Sequence, residues 1–210
     1  MKTTNDIRID RSKLHPWLDY KLTLLLKQCN KKGIYLIITE GFRTKEYQDS
    51  LYAKGRTAPG KVVTNAKGST YSSQHMWGIA FDIAINDSKL LYDTATIKKV
   101  AKIAKSNKVG LKWGGDWKSI VDTPHFYIGK WGSTTSELKN KYGTPDKFKK
   151  TWTTLTKKNC KLWKSKTLRA SKMLCRIPKG SKVEVLYKSK LGYAKVKYGG
   201  RYGFVFKSVL

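Results

Sequence analysis

Two of the three histidines in this 210-residue chain stand beside carboxylates where the pattern turns to strand. His75 opens Ser73-Gln74-His75-Met76-Trp77-Gly78-Ile79-Ala80-Phe81-Asp82-Ile83-Ala84-Ile85. With a period of two, Ile79, Phe81, Ile83 and Ile85 make one bulky apolar face. The other face holds Gly78, Ala80, Asp82 and Ala84, small residues around one carboxylate. An ionised Asp in mid-strand is costly unless paired or bound to a cation, and its small neighbours leave room for an approach. The second histidine, in Asp122-Thr123-Pro124-His125, also sits where a strand begins. His, Asp and His with one open position is a common ligand set for catalytic zinc. A histidine taken alone is more often structural, so spacing by itself leaves both readings open. His15 precedes a helix without a carboxylate partner in its pattern and is assigned a structural role.

The elements that must position these residues can be read from the same periodicities. Leu18, Leu22, Leu25, Leu26 and Cys29 fall at helical spacing after Pro16, which suits a first helical turn. Gly33 stops that helix, and residues 34–38 read as a buried strand ending at Glu40-Gly41-Phe42-Arg43-Thr44. A helix from Thr44 or Lys45 to Lys54, a Gly-bearing loop over 55–70, a strand over 78–85 and a helix over about 96–107 follow. Residues 111–117 read as a loop and 125–128 as a last strand. Helices and strands mix without strict βαβ order, which predicts an α+β domain with a small antiparallel sheet and flanking helices.

Past Gly143-Thr144-Pro145-Asp146 the texture changes. Short strand candidates at Leu168, 175–177, 183–187, 193–198 and 202–205 are separated by turn signals, which predicts a small all-β barrel. The expected organisation is a catalytic domain over 1–142, a linker over 143–153 and the barrel over 154–210.

Charge separates the two parts further. Lys and Arg total 44 against 14 Asp and Glu, a net charge of +30. Residues 1–150 hold 28 bases and 13 acids; residues 151–210 hold 16 bases and one acid, Glu184. This excludes an ordinary neutral enzyme and calls for a polyanionic partner. Cys29, Cys160 and Cys175 are too few and too scattered for a disulfide framework or a thiolate zinc site; a Cys160–Cys175 bridge stays open. No apolar run reaches the length of a spanning helix, and the N-terminus has no apolar signal-like stretch.

The segment Ser73-x-His75-x-x-Gly78-x-Ala80-x-Asp82 with Asp122-x-x-His125 resembles the bacterial zinc peptidases of the D-alanyl-D-alanine carboxypeptidase (VanY-like) and L-alanyl-D-glutamate endopeptidase family, the phage endolysin branch most of all. Glu40-Gly41-Phe42-Arg43-Thr44, Gln48, 51–57, 59–66 and Trp113-Gly114-Gly115-Asp116-Trp117 carry the same likeness in order. It implies one zinc ion held by His75, Asp82 and His125, with the fourth position open to water whose pKa falls toward ~7. It implies that Asp122, where carboxypeptidase branches carry Glu, is the general base. Arg43 would stabilise the substrate oxygen as negative charge develops. Ser73 and Gln48 would contact substrate. Tyr127 departs from relatives that often carry Glu or Gln there. Of Trp77, Trp113 and Trp117, two are expected in packing and one along the cleft.

The last sixty residues resemble a bacterial SH3-like cell-wall binding domain, on 177–186, 193–198 and 203–210. The expectation is a monomeric phage or prophage endolysin that cleaves the peptidoglycan stem, at L-Ala-D-Glu, to lyse Gram-positive cells. Residues 151–210 would bind anionic wall polymers such as teichoic acids. No specific nucleic acid and no membrane insertion are expected, and the enzyme would be made in the host cytoplasm without a signal peptide and act on the wall after release. The alternatives are a D-Ala-D-Ala or L,D-carboxypeptidase, a host autolysin, or a non-catalytic cationic wall-binding protein.

Overall fold

The computed structural model describes residues 3–210. They divide into two units, one ending at Pro145 and the other spanning Asp146–Leu210. The first opens with strand β1 (Asp6–Ile7) and helix α1 (Pro16–Asn30). His15 caps α1, its Nδ1 accepting the Trp17 amide at 3.1 Å. Burial, with Lys130 nearby, pushes the His15 imidazole down to about 3, so it stays a neutral acceptor in a structural role. The α1 stripe Leu18, Leu22, Leu25 and Cys29 is fully buried.

Strand β2 (Leu36–Glu40), helix α2 (Lys45–Ala53), strand β3 (Ala80–Ile85) and helix α3 (Thr94–Lys105) follow. Strands β4 (Lys112–Trp113) and β5 (His125–Tyr127) and helix α4 (Ser136–Tyr142) complete the unit. The sheet order is β1-β2-β3-β5-β4. All pairings are antiparallel except β1 on β2. That parallel edge strand was too short to show in the sequence pattern.

Strand β3 lies at the centre of this sheet, so both its faces are covered and Ile79, Ala80, Phe81 and Ile83 are all fully buried. Asp82 is the charged exception. The β2–β3 register shifts between Ile38 and Glu40, which brings Glu40 opposite Asp82; such irregularities commonly re-aim side chains beside a site. On the other side Asp82 pairs with His125. The sheet register therefore joins two residues that are 43 positions apart.

The division between the two units falls within residues 143–153, the expected linker, and this stretch carries short elements. Helix α5 (Pro145–Lys149) and a 3₁₀ turn over Lys150–Trp152 lead directly into strand β6 (Thr153–Leu155). Phe148 and Trp152 supply the reason, since both are buried and meet edge to face. Strands β7 (Cys160–Trp163), β8 (Met173–Ile177), β9 (Lys182–Lys188), β10 (Tyr193–Tyr198) and β11 (Arg201–Phe206) follow.

These strands form one six-stranded sheet in the order β6-β9-β10-β11-β7-β8. A closed barrel was expected; the described pairings leave β6 and β8 at opposite ends of an open order. Leu168, expected in a strand, lies in a 3₁₀ turn with φ 44°. Leu162, Ile177, Val183, Ala194, Val196 and Val205 form the core. Gly203 is required where β11 meets β7, because a Cβ there would lie 2.6 Å from Leu162 Cγ and 2.7 Å from the Trp163 carbonyl oxygen. Among the described residues no helix is long and apolar enough to cross a membrane.

Candidate metal centre

The sheet and one tight turn gather three ligand types at one point. His75 sits in a 3₁₀ turn, Gln74–Trp77, that ends at Gly78 with φ 63°. The left-handed Gly78 turns the chain straight into the strand that carries Asp82. His75 Nε2 lies 3.3 Å from Asp82 Oδ1, and His125 Nδ1 lies 2.9 Å from the same oxygen. One ligand atom from each of His75, Asp82 and His125 falls within 4.8 Å of the others.

The remaining nitrogens of the two rings are also engaged. His75 Nδ1 is 2.7 Å from the Gly41 carbonyl oxygen, and His125 Nε2 is 2.8 Å from Gln74 Oε1. A carbonyl oxygen only accepts, so each outer nitrogen carries a proton, and each inner nitrogen is the ring atom turned toward Asp82. Two imidazoles and a carboxylate aimed at one point fit a divalent zinc-like ion, and the outer hydrogen bonds favour the tautomers that ligation needs. Burial alone would raise the Asp82 carboxyl, but the charges and hydrogen bonds of His75 and His125 hold it well below the usual carboxylate range.

Arg43 follows β2 and reaches the same carboxylate, its Nη2 lying 3.5 Å from Asp82 Oδ2. Its Nε is 3.2 Å from Glu40 Oε2, and its backbone amide donates to the His75 carbonyl at 3.3 Å. Gln48, expected to touch substrate, is fully buried. Its amide nitrogen donates to Ala66 O at 2.8 Å and Thr64 Oγ1 at 3.2 Å, while its oxygen faces Arg43 Nη1 at 3.5 Å. A side chain so enclosed works through Arg43 and the 64–66 loop rather than by meeting a ligand. Ser73 is half-buried at the start of the 3₁₀ turn, two residues from His75, and makes no capping bond.

Asp122 begins a turn in which the His125 amide donates back to its carbonyl at 3.4 Å. Gly114 permits that turn, since a Cβ there would lie 2.6 Å from the Asp122 carbonyl oxygen and 3.0 Å from His125 Cβ. Burial pushes the Asp122 carboxyl up and the Asp82 charge adds to this, against the pull of His125, His75 and Arg43. Trp77 and Trp113 are buried in packing. Trp117 is half-exposed, with its ring 5.1 Å from that of His125 and its Nε1 donating to Tyr127 Oη at 3.1 Å. The buried Tyr127 thus fixes a wall beside the cluster. Glu40, Gln74 and the Gly41 carbonyl escaped the sequence reading. The role of Glu40 shows only in the pairing register, that of Gly41 only in its contact with His75, and Gln74 shows only as an interposed position of the motif.

A family model described as D-alanyl-D-alanine carboxypeptidase matches residues 66–128, the segment that contains all three ligand residues. The peptidoglycan L-alanyl-D-glutamate endopeptidase CwlK of Bacillus subtilis (strain 168) is 38% identical over 125 residues, covering 54% of this chain and 72% of that protein. The L-alanyl-D-glutamate peptidase of Listeria phage A118 is 31% identical over 115 residues, covering 53% of this chain but 36% of the phage protein. The crystal structure of the Serratia marcescens L-Ala D-Glu endopeptidase ChiX superposes with a TM-score of 0.44 at 21% identity, over 56% of this chain and 82% of that one. That likeness is too distant to add weight to the sequence matches. With a metal-type His–Asp–His cluster inside the matched segment and 38% identity across most of the Bacillus relative, the chain belongs to the D-alanyl-D-alanine carboxypeptidase family and is a metallo-endopeptidase.

Proposed function

We propose that this enzyme hydrolyses the peptidoglycan stem peptide at the L-Ala-D-Glu bond, as a lytic enzyme of phage or prophage type. The observation that carries the reading is the convergence of Arg43 and the raised Asp122 carboxyl on the His75–Asp82–His125 cluster. The names of the Bacillus and phage relatives support the bond.

His75, Asp82 and His125 would hold zinc, which when bound supplies Lewis-acid polarisation and acidifies water at neutral pH. The chain's own groups do the rest. Asp122, a carboxyl whose charged form is disfavoured by burial, accepts a proton from the attacking water and delivers it to the nitrogen of the leaving amine. Arg43 offers fixed N–H donors to the carbonyl oxygen as its negative charge grows. Glu40 and Gln48 limit the positions open to the guanidinium. Trp117, backed by the buried Tyr127, forms an aromatic wall beside the cluster and restricts water on that side.

We infer further that the C-terminal unit is an SH3-like wall-binding module for anionic polymers of the teichoic acid class. Sixteen bases against one acid over residues 151–210 support this, as does the way the bases are displayed. Lys161, Lys195 and Lys197 alternate with core residues along β7 and β10 and lie 5.7, 5.3 and 5.7 Å from the ring centres of Trp163, Phe204 and Tyr202. Cations and rings on one sheet face suit a chain of phosphates joined by polyol or sugar units.

The catalytic reading is tested with a defined stem peptide containing L-Ala-D-Glu, followed by mass spectrometry. Cleavage at that bond supports it, and release of terminal D-Ala alone would move the enzyme to a carboxypeptidase activity.

A further inference from the structure

Part of the support for His125 is anchored outside the segment that matches the family. His125 is only 4% exposed, and its Nε2 lies 2.8 Å from Gln74 Oε1. A primary amide can turn either face to a histidine, and the two faces dictate opposite tautomers. The oxygen calls for a proton on Nε2, whereas the NH₂ would call for a lone pair there and push the proton onto Nδ1. Nδ1 faces Asp82 Oδ1 at 2.9 Å, an acceptor that favours a proton there, so the Gln74 contact is what keeps a proton on Nε2 and lets Nδ1 give its own up to a metal.

The choice between these faces is made by Ser133. Gln74 Nε2 donates to the Ser133 carbonyl oxygen at 3.2 Å, and a carbonyl can receive only the NH₂ end. The Ser133 segment is itself tied down. Thr135 is buried, and its hydroxyl donates to the Tyr71 carbonyl at 2.9 Å, the same oxygen that takes the Trp77 Nε1 proton at 2.8 Å. Ser133 and Thr135 thus clasp the turn that carries His75. Both lie beyond residue 128, where the family match stops.

We propose that Gln74 is a positioning residue of the metal centre, held by the Ser133 carbonyl so that its oxygen fixes His125 as the Nε2–H tautomer and leaves Nδ1 free to bind metal. This rests on the reading of His75, Asp82 and His125 as metal ligands. The polarity runs in one direction, from the Ser133 carbonyl through the Gln74 amide to the His125 ring. Removing the amide takes away both the acceptor for Nε2–H and the constraint on ring rotation. Glu at the same position keeps an acceptor for Nε2–H and gives up only the bond to Ser133.

The test uses the full chain with Gln74→Leu and Gln74→Glu, and three readouts. Zinc affinity is measured by competition with a chromophoric chelator, His125 protonation by long-range ¹H–¹⁵N NMR of the metal-free protein, and folding by thermal unfolding. The expected result is a proton held on His125 Nε2 in the parent protein and a shift toward Nδ1–H, donated to Asp82, in Gln74→Leu. Zinc binding in Gln74→Leu should weaken ~10–100-fold, the usual effect of losing a group that orients a ligand. Gln74→Glu should retain the tautomer and bind zinc within a few-fold of the parent, even if it melts earlier. A purely structural role predicts the reverse, with zinc affinity following melting temperature in both variants. Unchanged zinc affinity and unchanged tautomer in a folded Gln74→Leu would overturn the proposal. If the parent protein binds no zinc, the metal reading itself fails, and an unaltered tautomer in Gln74→Leu would separately remove the role of Gln74.

Discussion

Residues 1–150 and residues 151–210 carry the same excess of fifteen bases over acids, and they use it in opposite ways. In the first stretch the acids decide the chemistry. Asp82 meets two histidines and an arginine, Glu40 meets that same arginine, and Asp122 sits in their combined field. In the second stretch the one acid side chain, Glu184, pairs with Lys197 across the sheet at 3.5 Å, against sixteen bases in all. Equal net charge therefore says little about function. A few partly buried charges with named partners give directional chemistry, whereas many cations on a sheet face give attraction without direction.

That contrast can be broken most severely at the metal ligands. His75→Ala is expected to reduce peptidoglycan hydrolysis to background while sedimentation with cell walls stays as in the parent protein. Loss of both together would show that the two stretches are not separable.

Asp122→Asn comes next, with an expected loss of ~10²–10⁴ in kcat, the range for removing a positioned proton-transfer group. The sign of the pH dependence follows from the raised Asp122 carboxyl. Its working form is the carboxylate, so hydrolysis should fall as pH drops through a value above the ordinary Asp pKa of about 3.9. A pH profile whose acid limb is unchanged in Asp122→Asn would assign that limb to another group.

Arg43→Ala is expected to cost ~10²–10³ in kcat, with KM changed far less, because its donors matter most as charge develops on oxygen. A pure KM effect would make Arg43 a substrate-binding group instead.

The mildest perturbation is salt. Raising ionic strength shortens the Debye length from ~10 Å at 0.1 M to ~3 Å at 1 M. Wall sedimentation should weaken progressively across that range while cleavage of a short, soluble stem peptide changes little. Salt-insensitive sedimentation would contradict a field-driven role for residues 151–210.

How far the molecule could be read from its sequence follows the same division. The strand through Asp82 was legible because a lone carboxylate interrupts a period-two apolar pattern. The placement of His75 and His125 was legible from a motif rather than from periodicity. Glu40 was not, because its approach to Asp82 depends on a register shift between two strands. Gln74 was not, because its partner Ser133 is 59 residues away. Gln48 was named as a substrate contact by resemblance alone, which carries no sign that the 64–66 loop encloses it. In the C-terminal unit, β6 and β7 are short and carry mixed burial, so no clean alternation marked them. The short elements within the expected linker were not marked either, because the burial of Phe148 and Trp152 shows only in the fold.

The most direct measurement of the central claim is mass spectrometry of purified Gram-positive peptidoglycan digested with the full chain, with and without a zinc chelator. The account predicts fragments bearing a new N-terminal D-Glu that vanish with chelation and return when zinc is restored. Digestion that is indifferent to the chelator, or walls left intact in the presence of zinc, would contradict it.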